Sequence, residues 1–188
     1  MLSSKKKFLN ILRNCLKNLS YSYKEIDMAQ EPGMHCYYMG NSYPLYITVD
    51  ETKTKASIKY DGKSFTFINP TAVEVDVEDA LKSFYIKELH QLIRKRIELY
   101  QPNFSVKHKS FAIKDSKTKW GSCNSKMQLT FNWRLMMYPL EAIDYVVIHE
   151  LCHLIHMNHG RSFWRLVGKV QPNYKEVMAI LGNKTKSL

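Results

Sequence analysis

The sequence predicts an α+β fold: a mixed or antiparallel β-sheet, a long backing helix and a second, buried helix that carries the chemistry. Three observations predict it. Residues 43–50 and 56–69 are rich in Tyr, Ile, Val, Thr and Phe, with Asp61-Gly62 as a hairpin signal between two strands. Residues 77–100 change to a helical period, with Leu81, Phe84, Tyr85, Leu89, Leu92, Ile93, Ile97 and Leu99 interleaved with Lys, Arg and Glu. From Pro139 to about residue 157 a helical segment is apolar on most faces yet holds two histidines one turn apart.

Taken in chain order, Phe8, Leu9, Leu12, Cys15, Leu16 and Leu19 recur at helical spacing, so the opening segment reads as an amphipathic helix. Asn10, Arg13 and Asn14 break its apolar stretch, which argues against a secretory signal, and nothing approaches the roughly 20 apolar residues of a membrane span. We read residues 1–35 as an N-terminal helical extension and 36–188 as the main domain. Pro102 stops the long helix, and residues 104–135 alternate again, with a Lys-rich WGSC loop between strands. Together 35–76 and 104–135 are expected to build the β-sheet half. Pro139 suits the first position of the buried helix, and Glu141 its positive end. Asn158 and Gly160 are expected to end that helix, a short helix to cover 162–170, and Pro172 to open a last one that Gly182 closes.

Composition excludes several classes. With 188 residues, 45% hydrophobic and 24% charged, the chain can bury a core without disulfides or metal, so a metal site here is not required for folding. Cys15, Cys36, Cys123 and Cys152 form no CxxC pair and no regular framework, which leaves a reducing cytoplasm as the expected location. The net charge of +11 is concentrated beyond residue 76, where it would attract polyanions such as nucleic acid. Residues 107–126 carry six lysines (107, 109, 114, 117, 119, 126) against Asp115, with Phe111 and Trp120 as candidate stacking rings. The competing explanation is a solvated sheet face.

The residues that carry chemistry are His149-Glu150-Leu151-Cys152-His153, an HExxH motif, with His159 six residues on. On a helix the two histidines lie about 40° apart in azimuth and one turn apart in height, so both imidazoles can grip one ion. Glu150 is about 80° from their bisector, placed to address a water on the metal and too far round to ligate it. His156 faces the right way, but its Cα rises about 10.5 Å above that of His149, poor for one tetrahedral ion. His159, after the expected break, is the expected third ligand, with His156 a wall residue or donor to a ligand. Chance gives this spacing on the order of once in several thousand shuffled chains of this composition.

Three imidazoles leave the fourth position of zinc open, where a bound water would drop from a pKa of about 15.7 to roughly 7. Glu150 would take the proton and pass it to a leaving amine, the chemistry of peptide-bond hydrolysis. Cys152 as a closing fourth ligand, Cys123 as a nucleophile, and Tyr174, Tyr145, His156 or Arg161 as oxyanion stabilisers are further candidates that spacing does not rank.

The run from His149 to Leu154, followed by Asn158-His159-Gly160 and Phe163-Trp164, resembles the YgjP-like metallopeptidase domain, a family similar in its core to the SprT and Spartan proteases. Lys119-Trp120-Gly121-Ser122-Cys123, Asn132-Trp133-Arg134-Leu135, Ile143-Asp144-Tyr145-Val146-Val147 and Pro172-Asn173-Tyr174 stand in the family's order, so the resemblance spans roughly residues 40–182. Met127 stands where the family usually has Gly. The resemblance implies a zincin-like fold, His149, His153 and His159 as zinc ligands, Glu150 as catalytic acid/base, and a WGSC strand bordering the cleft where an extended peptide could pair. The expected function is a zinc-dependent metallopeptidase acting on a peptide or protein. The alternative is a nucleic-acid-associated protein with a structural zinc site, or a DNA-stimulated protease joining both.

Overall fold

The computed structural model describes residues 34–70 and 76–185; the expected helix near the N-terminus lies outside them. The chain divides into two units, meeting between Phe84 and Tyr85. The first holds strands β1 (Met34–Tyr38), β2 (Asn41–Val49), β3 (Ser57–Tyr60) and β4 (Phe65–Asn69), in the order β1-β2-β4-β3. The second holds β5 (Ser110–Lys114), β6 (Gly121–Cys123) and β7 (Gln128–Asn132), in the order β5-β7-β6, with helices α2 (Leu140–Cys152), α3 (Arg161–Val170) and α4 (Tyr174–Thr185). Helix α1 (Val77–Tyr100) runs through the division. The fold is thus α+β, but the two strand regions form separate sheets where one sheet half was expected, and each sheet is mixed.

In the first unit the hairpin at Asp61-Gly62 forms as expected, because Asp61 Oδ1 accepts the amides of Lys63 and Ser64 at 2.8 and 2.7 Å and Gly62 takes φ 92°. The sheet is not purely antiparallel. The connection after β2 places β3 on the far side of β4, and the hairpin then returns β4 alongside β2 in the parallel sense. Strand β1 went unpredicted. It is joined to β2 by Met39-Gly40, both with positive φ (50° and 85°), a two-residue turn that lacks the usual Asn or Asp. Phe65 and Phe67 are fully buried, with Tyr60 stacked on Phe65 at 4.7 Å and Phe84 edge-on to it at 5.6 Å.

In the second unit, Tyr85, Leu89, Ile93 and Ile97 form one buried stripe along α1 at four-residue spacing, and a 3-10 turn at Gln101–Asn103, containing Pro102, ends the helix. Pro139 is the N-cap of α2 rather than its first residue, and its carbonyl accepts the amides of Ala142 and Ile143. Asp144, on α2, is buried, and Arg96 of α1 reaches it twice, Nε at 2.5 Å and Nη2 at 2.6 Å, while the Tyr100 hydroxyl donates to it at 3.0 Å. A bidentate, partly desolvated pair of this kind holds α2 at a set rotation against α1. Replacing Arg96 with Ala leaves the carboxylate uncompensated and should cost roughly 3 kcal/mol of stability, measured by urea unfolding. A loss below about 1 kcal/mol would mean that solvent already screens the pair.

Two helix ends differ from expectation. Helix α2 stops at Cys152, several residues early, because the amides of Leu154 and Ile155 bond three residues back, to Leu151 and Cys152, at 3.1 Å each. Helix α4 continues through Gly182, since the buried Val177 and Leu181 outweigh the cost of about 1 kcal/mol for an interior glycine. Among the described residues no helix is long and apolar enough to cross a membrane.

Strands β6 and β7 are joined by a tight loop in which Met127 donates its amide to the Asn124 carbonyl at 2.9 Å and adopts φ 57°. This is the left-handed position of a bulged hairpin, which a glycine fills without strain. Met127→Gly should therefore stabilise the protein by roughly 0.5–1 kcal/mol, the left-handed penalty less the added chain entropy. Thermal unfolding would show it as a raised midpoint, and an unchanged or lowered one would mean that the side chain contributes packing that offsets the strain.

Candidate metal centre and active site

Helix α2 delivers His149 and Glu150 from its last turn. His153 is the residue that caps the helix, still at helical dihedrals (φ −66°, ψ −17°), so the one-turn relation survives the early stop. The chain then turns back through 154–160, bringing His159 beneath the other two. Their Nε2 atoms lie 3.2 Å (149 to 153), 3.1 Å (153 to 159) and 3.0 Å (149 to 159) apart. Among the described residues these three are the set of His, Cys, Asp or Glu whose ligand atoms converge; neither Glu150 nor Cys152 joins them.

Three ring nitrogens aimed at one point cannot satisfy one another, because each carries a single proton or a single lone pair in its ring plane. A cation satisfies all three. One ion at 2.0–2.1 Å from each nitrogen with tetrahedral angles requires nitrogens about 3.3 Å apart, and the observed 3.0–3.2 Å is near enough for the three to hold such an ion. The rings are also held in the right state. His153 Nδ1 donates to the His156 carbonyl at 3.0 Å, which leaves the Nε2 lone pair free, and the Tyr145 hydroxyl stands 3.4 Å from His149 Nδ1. Burial pushes His149 down to about 3, reinforced by the neighbouring His153 and His159 rings, and burial likewise lowers His153. Burial thus favours the neutral form of both rings, the form that could ligate a metal. His156 meets a histidine of the cluster through its backbone carbonyl, as an acceptor and not as the donor expected, and its ring is not among the three that converge.

Glu150 is 4% exposed, and its Oε2 has no hydrogen-bond partner among the described residues. Burial pushes its carboxyl up to about 8, with the Lys119 ammonium pulling the other way. The group that closes over it is Gly121 of β6: a Cβ built there would stand 2.6 Å from Glu150 Oε1 and 2.7 Å from its Cγ. WGSC was expected as a loop between strands, but Gly121 lies in a strand and is needed for space, not for conformation, while Trp120 packs edge-on to Tyr138 at 4.8 Å. Asn132 fixes this segment by donating to the carbonyls of Ser116 and Lys119 at 2.8 and 3.0 Å.

The other candidates are distributed around the site. Burial raises the Cys123 thiol, with Glu150 adding to it, and pushes Cys152 up to about 12, the reverse of what a nucleophile needs. Tyr145 is buried behind His149, while Tyr174 stacks on Trp164 at 5.5 Å. Arg161 is exposed at the start of α3. Phe163, which sequence reasoning gave no role of its own, is fully buried with its ring 4.9, 4.6 and 4.7 Å from those of His149, His153 and His159. An apolar residue four positions after a predicted ligand was the available signal. The lysines at 107, 109, 114, 117, 119 and 126 are all exposed, but Phe111 stacks on His90 at 4.8 Å and Trp120 packs on Tyr138.

Comparison with known proteins defines the class as a metallopeptidase domain: residues 4–184 match a family model of that description. The chain belongs to the YgjP-like family. Among solved structures it is similar to the crystal structure of the metallopeptidase zymogen of Pyrococcus abyssi abylysin, at 24% identity and a TM-score of 0.46, covering 49% of this chain and 93% of that one. No curated protein matches the chain.

Proposed function

We propose that this protein is a zinc-dependent peptidase in which His149, His153 and His159 hold the ion and Glu150 is the general base. The observation that carries the reading is the convergence of three Nε2 atoms at 3.0–3.2 Å, while the next residue after His149 carries a buried carboxyl whose Oε2 has no partner among the described residues. Zinc bound by three neutral imidazoles would supply Lewis acidity and an acidified water at neutral pH. The chain's own residues do the rest. Glu150 Oε2 is the acceptor for a proton of the attacking water, and the burial that raises its proton affinity also suits it to carry that proton to the departing amine. Gly121 presses on the carboxyl's other face and so limits its rotamers. His153 Nδ1 and Tyr145 keep two ligand rings oriented. An extended peptide could add to the outer edge of β6, which lies at the end of its sheet, passing Gly121 and hence Glu150.

Loading the protein with cobalt(II) tests the coordination without a known substrate. The expected visible spectrum shifts on adding a hydroxamate, and the shift disappears in His159→Ala. A spectrum already four-coordinate and indifferent to the hydroxamate would identify a closed structural site, and the nucleic-acid-associated reading, for which the exposed lysines supply the charge, would replace this one.

A further inference from the structure

The three histidines are not held equally. His149 and His153 belong to the last turn and cap of α2, and each Nδ1 faces a protein oxygen, the Tyr145 hydroxyl or the His156 carbonyl. His159 lies in irregular chain before α3 and is exposed, and among the described residues its Nδ1 has no hydrogen-bond partner. What orients its ring is aromatic packing. Trp164 lies nearly parallel to it, centroids 5.7 Å apart at 27°, while Phe163 supports it edge-on at 4.7 Å. Tyr174, from the start of α4, lies behind Trp164 at 5.5 Å and 17°. Tyr174 in turn rests on the backbone of α3 at Gly168, where a Cβ would come within 3.4 Å of its Cε1. The result is a stack of three rings, His159, Trp164 and Tyr174, backed by a helix.

Resting on the zinc reading above, we infer that Trp164, braced by Tyr174, is the positioning residue of the third ligand, and that His159 is the ligand through which the ion enters and leaves. A stacked ring can slide or tilt without breaking a directional bond, whereas His149 and His153 cannot turn without losing the helix geometry or a hydrogen bond. His159 is also the one ligand of the three that is exposed, so its departure opens the site to water with no movement of α2.

The test measures zinc release from the loaded full-length protein into a colorimetric chelator, together with the cobalt(II) spectrum, for wild type, Trp164→Ala, Trp164→Phe, Tyr174→Leu and His159→Ala. Loss of an outer support of a metal ligand costs roughly 10- to 100-fold in affinity, so Trp164→Ala should release zinc about 10- to 100-fold faster and move its cobalt spectrum toward that of His159→Ala. Trp164→Phe retains a stacking face and should stay near wild type; Tyr174→Leu, which removes only the brace, should fall between. If Trp164→Ala does not fold, Tyr174→Leu carries the test. Wild-type release rates and spectra in the ring-removing variants would overturn the inference while leaving the three-histidine site standing. A His159→Ala protein indistinguishable from wild type would instead overturn the site itself.

Discussion

Glu150→Gln is expected to retain zinc and lose peptide hydrolysis by roughly 10²- to 10⁴-fold in kcat, the range of a positioned general base. The change is nearly isosteric, and the metal-ligand geometry does not involve Glu150, so the three imidazoles should converge as before. What disappears is the proton acceptor at the Oε2 position, which in the native protein is buried with no competing partner. An amide nitrogen there would donate where the mechanism needs acceptance. The check pairs zinc content with turnover of a general peptide substrate mixture in wild type and variant. A zinc-replete variant that keeps wild-type hydrolysis would remove Glu150 from the mechanism.

Gly121→Ala is the second large effect. The added methyl must enter a space already taken by Glu150 Oε1, Cγ and Cδ at 2.6, 2.7 and 2.9 Å. Neither side yields cheaply. Strand β6 is paired to β7 through Gly121 and Phe131, and Glu150 is anchored in a helix whose surroundings are buried. The expected cost is about 1–3 kcal/mol of stability from overpacking, with activity falling by roughly 10²-fold as the carboxyl is displaced by about 1 Å. The two variants together separate causes: Gly121→Ala should impair kcat in a protein that still has its base, and combining it with Glu150→Gln should add little to the loss. Wild-type turnover in a folded Gly121→Ala protein would show that the carboxyl's position is not critical.

Much of the site was legible because helical geometry is local. Residues four apart on an α-helix share a face whatever surrounds them, so His149 and His153 could be paired, and Glu150 set aside from them, from spacing alone. The contrast between an apolar helix and its few polar residues likewise placed α2 in the core before any packing was seen. The boundaries of α1 were readable for the same reason, with periodicity on one side and Pro102 on the other. His159 required only that the helix end before it, which Asn158 and Gly160 suggested; the structure ends the helix earlier, at Cys152, and brings the same histidine to the other two by a different turn.

The sequence by itself determined the α+β class, the long helix, the buried helix and the chemistry-bearing residue types, because propensity, periodicity and motif spacing act over a few residues. Only the tertiary structure decided what meets across distance. The parallel pairing of β2 with β4, the two separate sheets, and the clamp of Arg96 on Asp144 depend on chain paths that no local pattern encodes. The same holds for the seat of Glu150 against Gly121 and for the rings that support His159. A glycine in a strand and a tryptophan after a histidine have no meaning in isolation. They acquire one when close packing brings a carboxyl within van der Waals distance of the first and an imidazole over the face of the second.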